Sequence, residues 1–132
     1  MINKAGLFSI DELEVEKVVA ECERRGWRVF RLPTNLSSKD EFFEGVRRVL
    51  PLDPILQSNR SWDALADSLW AGLDGLDEEK IVIIWPDSSI MELRSPKDYE
   101  IAVDVLRALP DSLADKNVTA GPTKQLLIIR SI

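Results

Sequence analysis

Residues 81–85 read Ile-Val-Ile-Ile-Trp, a run with no polar position in it. A strand with one wet face alternates apolar and polar residues. An uninterrupted run instead predicts a strand buried on both faces, as in a parallel sheet covered by helices. A second run, QLLIIR at 125–130, has the same character, and WRVFRL at 27–32 is a shorter β-rich segment. Helical patterns separate the three segments, and parallel strands need crossover connections of that kind. The expectation is an α/β fold with a small three-stranded parallel sheet covered by helices. The pattern does not encode strand order.

Start and stop signals place the helices. Ser9 and Glu12 have the spacing of a capping box, and Val15, Val18, Val19 and Cys22 follow at helical spacing. Together they predict an N-terminal helix over about 10–25, closed by Gly26. Ser38 and Glu41 open a second helix, with Phe42, Val46, Val49 and Leu50 inward, ending before Pro51. Residues 52–61 carry turn formers and read as a connection. Ser61 begins a third helix, weakened at Gly72 and Gly75, and residues 86–95 read as a loop. Ser95-Pro96 starts the last helix, with Tyr99, Ala102, Val103, Leu106 and Leu109 on one face and Pro110 beyond it.

The 132 residues suit a single domain, 1–132, large enough to bury one core without disulfides or a structural metal. The chain has no histidine, which removes His-based triads and His-ligated zinc sites. The single Cys22 forms no internal disulfide and, on the apolar face of its helix, reads as an inert thiol. No apolar run approaches the roughly 18 residues of a membrane span. The stretch MINKAGLFSIDELE also lacks a signal peptide's apolar core, so the expectation is a cytoplasmic protein that engages no membrane.

Charge narrows the partner. The chain carries 17 basic and 23 acidic side chains, a net charge of −6. Residues 53–79 hold Asp53, Asp63, Asp67, Asp74, Asp77, Glu78 and Glu79 against Arg60 alone, and so account for the whole imbalance. Direct nucleic-acid binding needs clustered Lys and Arg, which this chain lacks. A concentrated acidic segment suits a basic protein partner, whose approach its field accelerates.

On a helix through 61–74, Trp62, Leu65, Leu69 and Leu73 share one side, and Asp63, Asp67, Trp70 and Asp74 share another. Two aspartates one turn apart repel, at a few tenths of a kcal/mol. Acids stacked beside a tryptophan make sense as a binding face with an aromatic anchor. The same spacing also serves a solvated helix face with Trp70 folded back into the core.

The run SWDALADSL, with the strand IVIIW after it, resembles the barstar family of microbial ribonuclease inhibitors. The family hallmark reads roughly Tyr-Gly-x-Asn-(Leu/Trp)-Asp-Ala-Leu-x-Asp-x-Leu, followed by an apolar strand. Here Trp62, Asp63, Ala64, Leu65, Asp67 and Leu69 occupy matching positions, and Trp85 ends the strand. The resemblance implies an immunity-type inhibitor, not an enzyme, that occludes a ribonuclease active site with this helix and the loop before it. It implies Asp67 as the main phosphate mimic, Asp63 as the second acid, and Trp62 at the loop–helix junction. The binding surface expected on this basis is Gln57, Asn59, Ser61, Trp62, Asp63, Asp67 and Trp70, facing a ribonuclease or other nuclease toxin, with no cofactor. The chain departs from the hallmark at Asn59 for glycine, Ser61 for asparagine and Gln57 for the preceding aromatic, and Arg60 adds a positive charge where a basic nuclease would dock.

The same residues admit two other readings. A non-inhibitory interaction module on the same fold is favoured by the altered loop at Gln57–Ser61. A magnesium site needs Asp63 and Asp67 joined by a third oxygen from Asp74 or Asp87. Ser88 and Ser89 have no glycine elbow or histidine to activate them, and AGPTK at 120–124 lacks the spacing of a phosphate loop. The pairs Arg24–Arg25 and Arg47–Arg48 read as helix-end charges facing solvent.

Overall fold

A computed structural model describes residues 5–132. The leader reading of the N-terminal stretch falls partly on residues 1–4, which lie outside that range. The strands are β1 (Gly6–Ile10), β2 (Arg28–Arg31), β3 (Lys80–Trp85) and β4 (Gln125–Ser131). They form one sheet in the order β1-β4-β3-β2, parallel at every pairing. The sheet is therefore parallel and helix-covered as expected, with four strands rather than three. The helices are α1 (Val15–Arg24), α2 (Lys39–Val49), α3 (Trp62–Asp74), α4 (Ser88–Arg94) and α5 (Pro96–Leu113).

The central strands β3 and β4 are buried on both faces, which explains their unbroken apolar runs. Ile81, Ile83, Trp85, Leu126 and Ile128 pack with residues of α2, α3 and α5 in the larger core. Val82, Ile84, Leu127 and Ile129 turn the other way and meet Val15, Val19 and Cys22 of α1.

The additional strand is β1, and it displaces the Ser9–Glu12 capping box. Ser9 belongs to the strand, and its Oγ accepts from Arg130 Nε at 2.7 Å. Glu12 accepts from the Ser131 hydroxyl. Asp11 caps instead, accepting from the Leu13 N–H at 2.9 Å ahead of a 3-10 turn, Glu12–Glu14, that leads into α1. A five-residue edge strand with half-buried positions lacks the alternation that marks a strand, so the cap signal dominated.

Two further boundaries moved. The segment expected as a loop at 86–95 contains α4. Seven residues anchored by buried Ser88 and Met91 are too short to display a helical period. Helix α5 continues through Pro110 to Leu113. Proline in a helix interior costs about 3 kcal/mol, but Leu113 extends the buried stripe of Leu106 and Leu109 by another turn, and packing outweighs the lost bond. Among the described residues no helix is long and apolar enough to cross a membrane.

Candidate functional site

Helix α3 begins as its sequence requires. Ser61 Oγ accepts from the Ala64 N–H at 3.0 Å, satisfying one of the orphan donors of the first turn. Leu65, Leu69 and Leu73 are fully buried, so the rotation of the helix is set by its leucines. That rotation leaves Asp63 and Asp67 exposed. Neither carboxylate has a hydrogen bond or ion pair among the described residues; the ion pairs lie elsewhere, as between Arg31 and Glu16 or Arg28 and Glu78.

The two tryptophans of the stripe lean on the protein itself. Trp62 is half-buried, 4.9 Å from the Phe43 ring centroid in an edge-on contact and 5.8 Å from that of Phe42. Trp70 is half-buried too, and its indole Nε1–H donates to Ser112 Oγ on α5 at 2.8 Å. It is therefore a wall of the α3–α5 groove rather than a projecting anchor.

Asp74 does not extend the exposed stripe, although its helical angle matches. The turn after α5 folds over the end of α3 and covers it, and Asp74 Oδ2 accepts from the Ala120 N–H at 3.1 Å. The residue is only 7% exposed, and its Oδ1 has no hydrogen-bond partner among the described residues. Asp87 lies at the far end of β3, beside Glu12 and Ser131. The structure thus does not bring either acid to Asp63 and Asp67, and the described residues contain no acidic cluster able to hold a metal.

The loop before α3 is held from both sides. From α2, Arg47 donates through Nε to Leu56 O at 3.0 Å and through its terminal nitrogen to Asn59 Oδ1 at 2.6 Å. Asn59 in turn donates to Asp40 at 3.3 Å, and Lys39 Nζ donates to Arg60 O at 2.8 Å. From α3, the Ser68 hydroxyl donates to Pro54 O, and the Ser68 carbonyl accepts from the Asp53 N–H at 3.0 Å. Gly72 lets the start of the loop lie on the helix, since a Cβ there would sit 2.1 Å from Pro51 O. Asn59 is thus a strut of the loop, whereas Gln57 is exposed and makes no hydrogen bond among the described residues. Arg47 is not the solvent-facing helix-end charge its position suggests: it is half-buried and binds three loop residues. Nothing in its local sequence distinguishes it from Arg48. Gly72 did carry a signal, because an isolated glycine inside a helix commonly marks a close approach.

A loop held from both sides is thus continued by a helix that exposes two carboxylates. The family model described as Barstar (barnase inhibitor) matches residues 27–122. The chain belongs to the barstar family. The matched span begins at Trp27 and takes in β2, α2, the clamped loop, α3, β3, α4 and α5. Strand β1 and helix α1 precede it. Neither the curated proteins nor the solved structures gave a match.

Proposed function

We propose that this barstar-family protein is a stoichiometric inhibitor of a basic microbial ribonuclease or related nuclease toxin. It would seat α3 and residues 52–61 in the enzyme's active site, with Asp67 and Asp63 standing in for substrate phosphates. Gln57, Asn59, Ser61, Trp62 and Trp70 complete or support that surface. On this reading the chain 1–132 works as one unit in the cytoplasm, without catalysis, cofactor, membrane or direct nucleic-acid contact. The observation that carries it is the pair of exposed acids on α3, left unpaired among the described residues. Such charges become valuable when a cationic active site desolvates and pairs them.

The test is titration of purified protein against barnase, the enzyme in the family description, with RNA cleavage as readout. Activity should fall linearly to an equivalence point, and Asp67→Ala should weaken inhibition by more than roughly 30-fold. Full inhibition by the Asp63→Ala/Asp67→Ala double variant would refute the acidic-helix mechanism. A second reading has two observations in its favour: Arg60 is exposed within the loop, and Asn59 is occupied by Arg47 and Asp40. On that reading the same face binds a different basic protein without inhibiting an enzyme, and the titration would show no loss of cleavage at any ratio.

A further inference from the structure

We propose that the groove between α3 and α5 seats an apolar side chain of the partner, directly beside a basic residue that meets Asp67. The inference rests on the acidic-helix reading and takes it further: the partner's contact surface is mixed, a hydrophobic residue next to a cation, rather than cationic throughout.

The groove offers about 480 Å³, within the roughly 300–1,000 Å³ of clefts that bind ligands. Its walls are Ala66 and Trp70 from α3, Val105, Ala108 and Leu109 from α5, and Val118 from the turn beyond. Among the described residues Ser112 is the one polar side chain inside; its Oγ accepts the Trp70 indole N–H and keeps its own O–H to donate. Asp67 lines the groove while remaining exposed, and so forms its rim. A cation pushed inward would shed water for an apolar wall and one carboxylate, a poor exchange. An apolar group gains by the same move, because it leaves water for a wall of its own kind. The geometry therefore separates two roles, the interior for a hydrophobic side chain and the rim for a charge. The acid-rich segment around α3 selects a partner that carries that charge.

The experiment titrates the ¹⁵N-labelled full chain with the amidated dipeptides Ac-Phe-Arg-NH2, Ac-Ala-Arg-NH2 and Ac-Phe-Gln-NH2, followed by NMR. Ac-Phe-Arg-NH2 should bind roughly tenfold more tightly than Ac-Ala-Arg-NH2 and shift the Trp70 indole N–H with the Val105 and Val118 amides. Ala108→Leu, at an exposed position on α5, fills the groove and should abolish that preference while leaving the arginine response intact. Equal affinities of the Phe and Ala peptides, an unmoved Trp70 signal, or no binding of any peptide would overturn the proposal. So would groove signals that move with protein concentration alone, which would put a second copy of the chain there. The acidic-helix reading is scored separately by Asp67→Asn. If that variant leaves the advantage of Arg over Gln unchanged, no cation meets Asp67 and the proposal falls together with that reading, whereas equal affinities of the Phe and Ala peptides with the Arg advantage intact overturn the groove proposal alone.

Discussion

Gly72→Ala sets two physical effects of opposite sign against each other. In an exposed helix interior, alanine in place of glycine is favourable by about 0.5–1 kcal/mol. Here the added Cβ would lie 2.1 Å from Pro51 O, 2.5 Å from Pro51 C and 3.0 Å from Leu52 N. A carbon–oxygen contact settles near 3.3–3.6 Å at about its closest, so the chain at Pro51 must retreat by roughly 1 Å. All three atoms are backbone, with no side-chain end to swing aside. Forced overpacking of this kind costs about 1–3 kcal/mol. The retreat also pulls on the Asp53 N–H to Ser68 O bond of 3.0 Å and on the Ser68–Pro54 bond, each worth about 1 kcal/mol. The cost wins, and the variant should be less stable by roughly 1–3 kcal/mol. Urea unfolding at equilibrium measures this directly, with Gly75→Ala as the control. A Cβ at Gly75 meets nothing closer than 3.5 Å, so that change should be neutral or slightly stabilising. A Gly72→Ala protein as stable as the wild type would refute the close approach of loop and helix, and with it the view that the loop is pinned from the α3 side.

Arg47→Lys keeps the charge but loses the planar fork that reaches Leu56 and Asn59 together; it should cost about 1–2 kcal/mol and raise hydrogen exchange at residues 52–61, and wild-type protection there would remove Arg47 as the clamp. Asp87 has its carboxyl pushed above the usual 3.8, first by burial and then by the charge and hydrogen bond of Glu12. The folded state thus holds that proton more tightly than the unfolded chain, so the stability Asp87 contributes is greatest below 3.8 and is lost as pH rises through its elevated pKa. Asparagine mimics the protonated form and tolerates the left-handed backbone at φ 55°. Asp87→Asn should therefore match the wild type in acid and exceed it at neutral pH, whereas parallel urea-midpoint curves across pH would contradict the carboxyl pairing. With barnase as partner, added salt should slow association far more than it speeds dissociation; stopped-flow association rates indifferent to salt would count against acidic steering.

Much of this architecture was legible because apolar runs and caps are local signals. The unbroken runs at 81–85 and 125–130 matched β3 and β4, and Ser38 and Ser61 cap α2 and α3 as their spacing implies. Even the capping box at Ser38 held only by half: Ser38 Oγ accepts from the Glu41 N–H at 3.2 Å, but the Glu41 carboxylate reaches back to Ser37, whose hydrogen bonds hold its pKa low. What could not be read was whatever depends on distant chain. Strand β1 exists because β4 offers it an edge, Asp74 is buried because the 119–121 turn closes over it, and Arg47 is occupied because the loop returns past α2. The rotation of α3 was readable from its leucines; the covering of its far end was not.

The same packing explains why the proposed inhibitor needs no moving part. Binding costs entropy for every loop and side chain that becomes ordered at the interface. Here much of that ordering is already present in the unbound protein, through Arg47, Lys39, Ser68 and the close approach at Gly72. On this surface the repulsion of Asp63 and Asp67 across a helical turn remains, a few tenths of a kcal/mol in water. The helix keeps it there, because residues four apart stay neighbours however α3 is rotated, and the leucines keep both acids in solvent, because rotating α3 would draw Leu65 and Leu69 out of a fully buried core at about 1.5–3 kcal/mol each. A cationic partner relieves that repulsion on contact. On this account affinity comes from charges the fold holds apart from its own arginines and lysines, and a substitution that gave Asp67 an internal partner would weaken binding without touching the interface geometry.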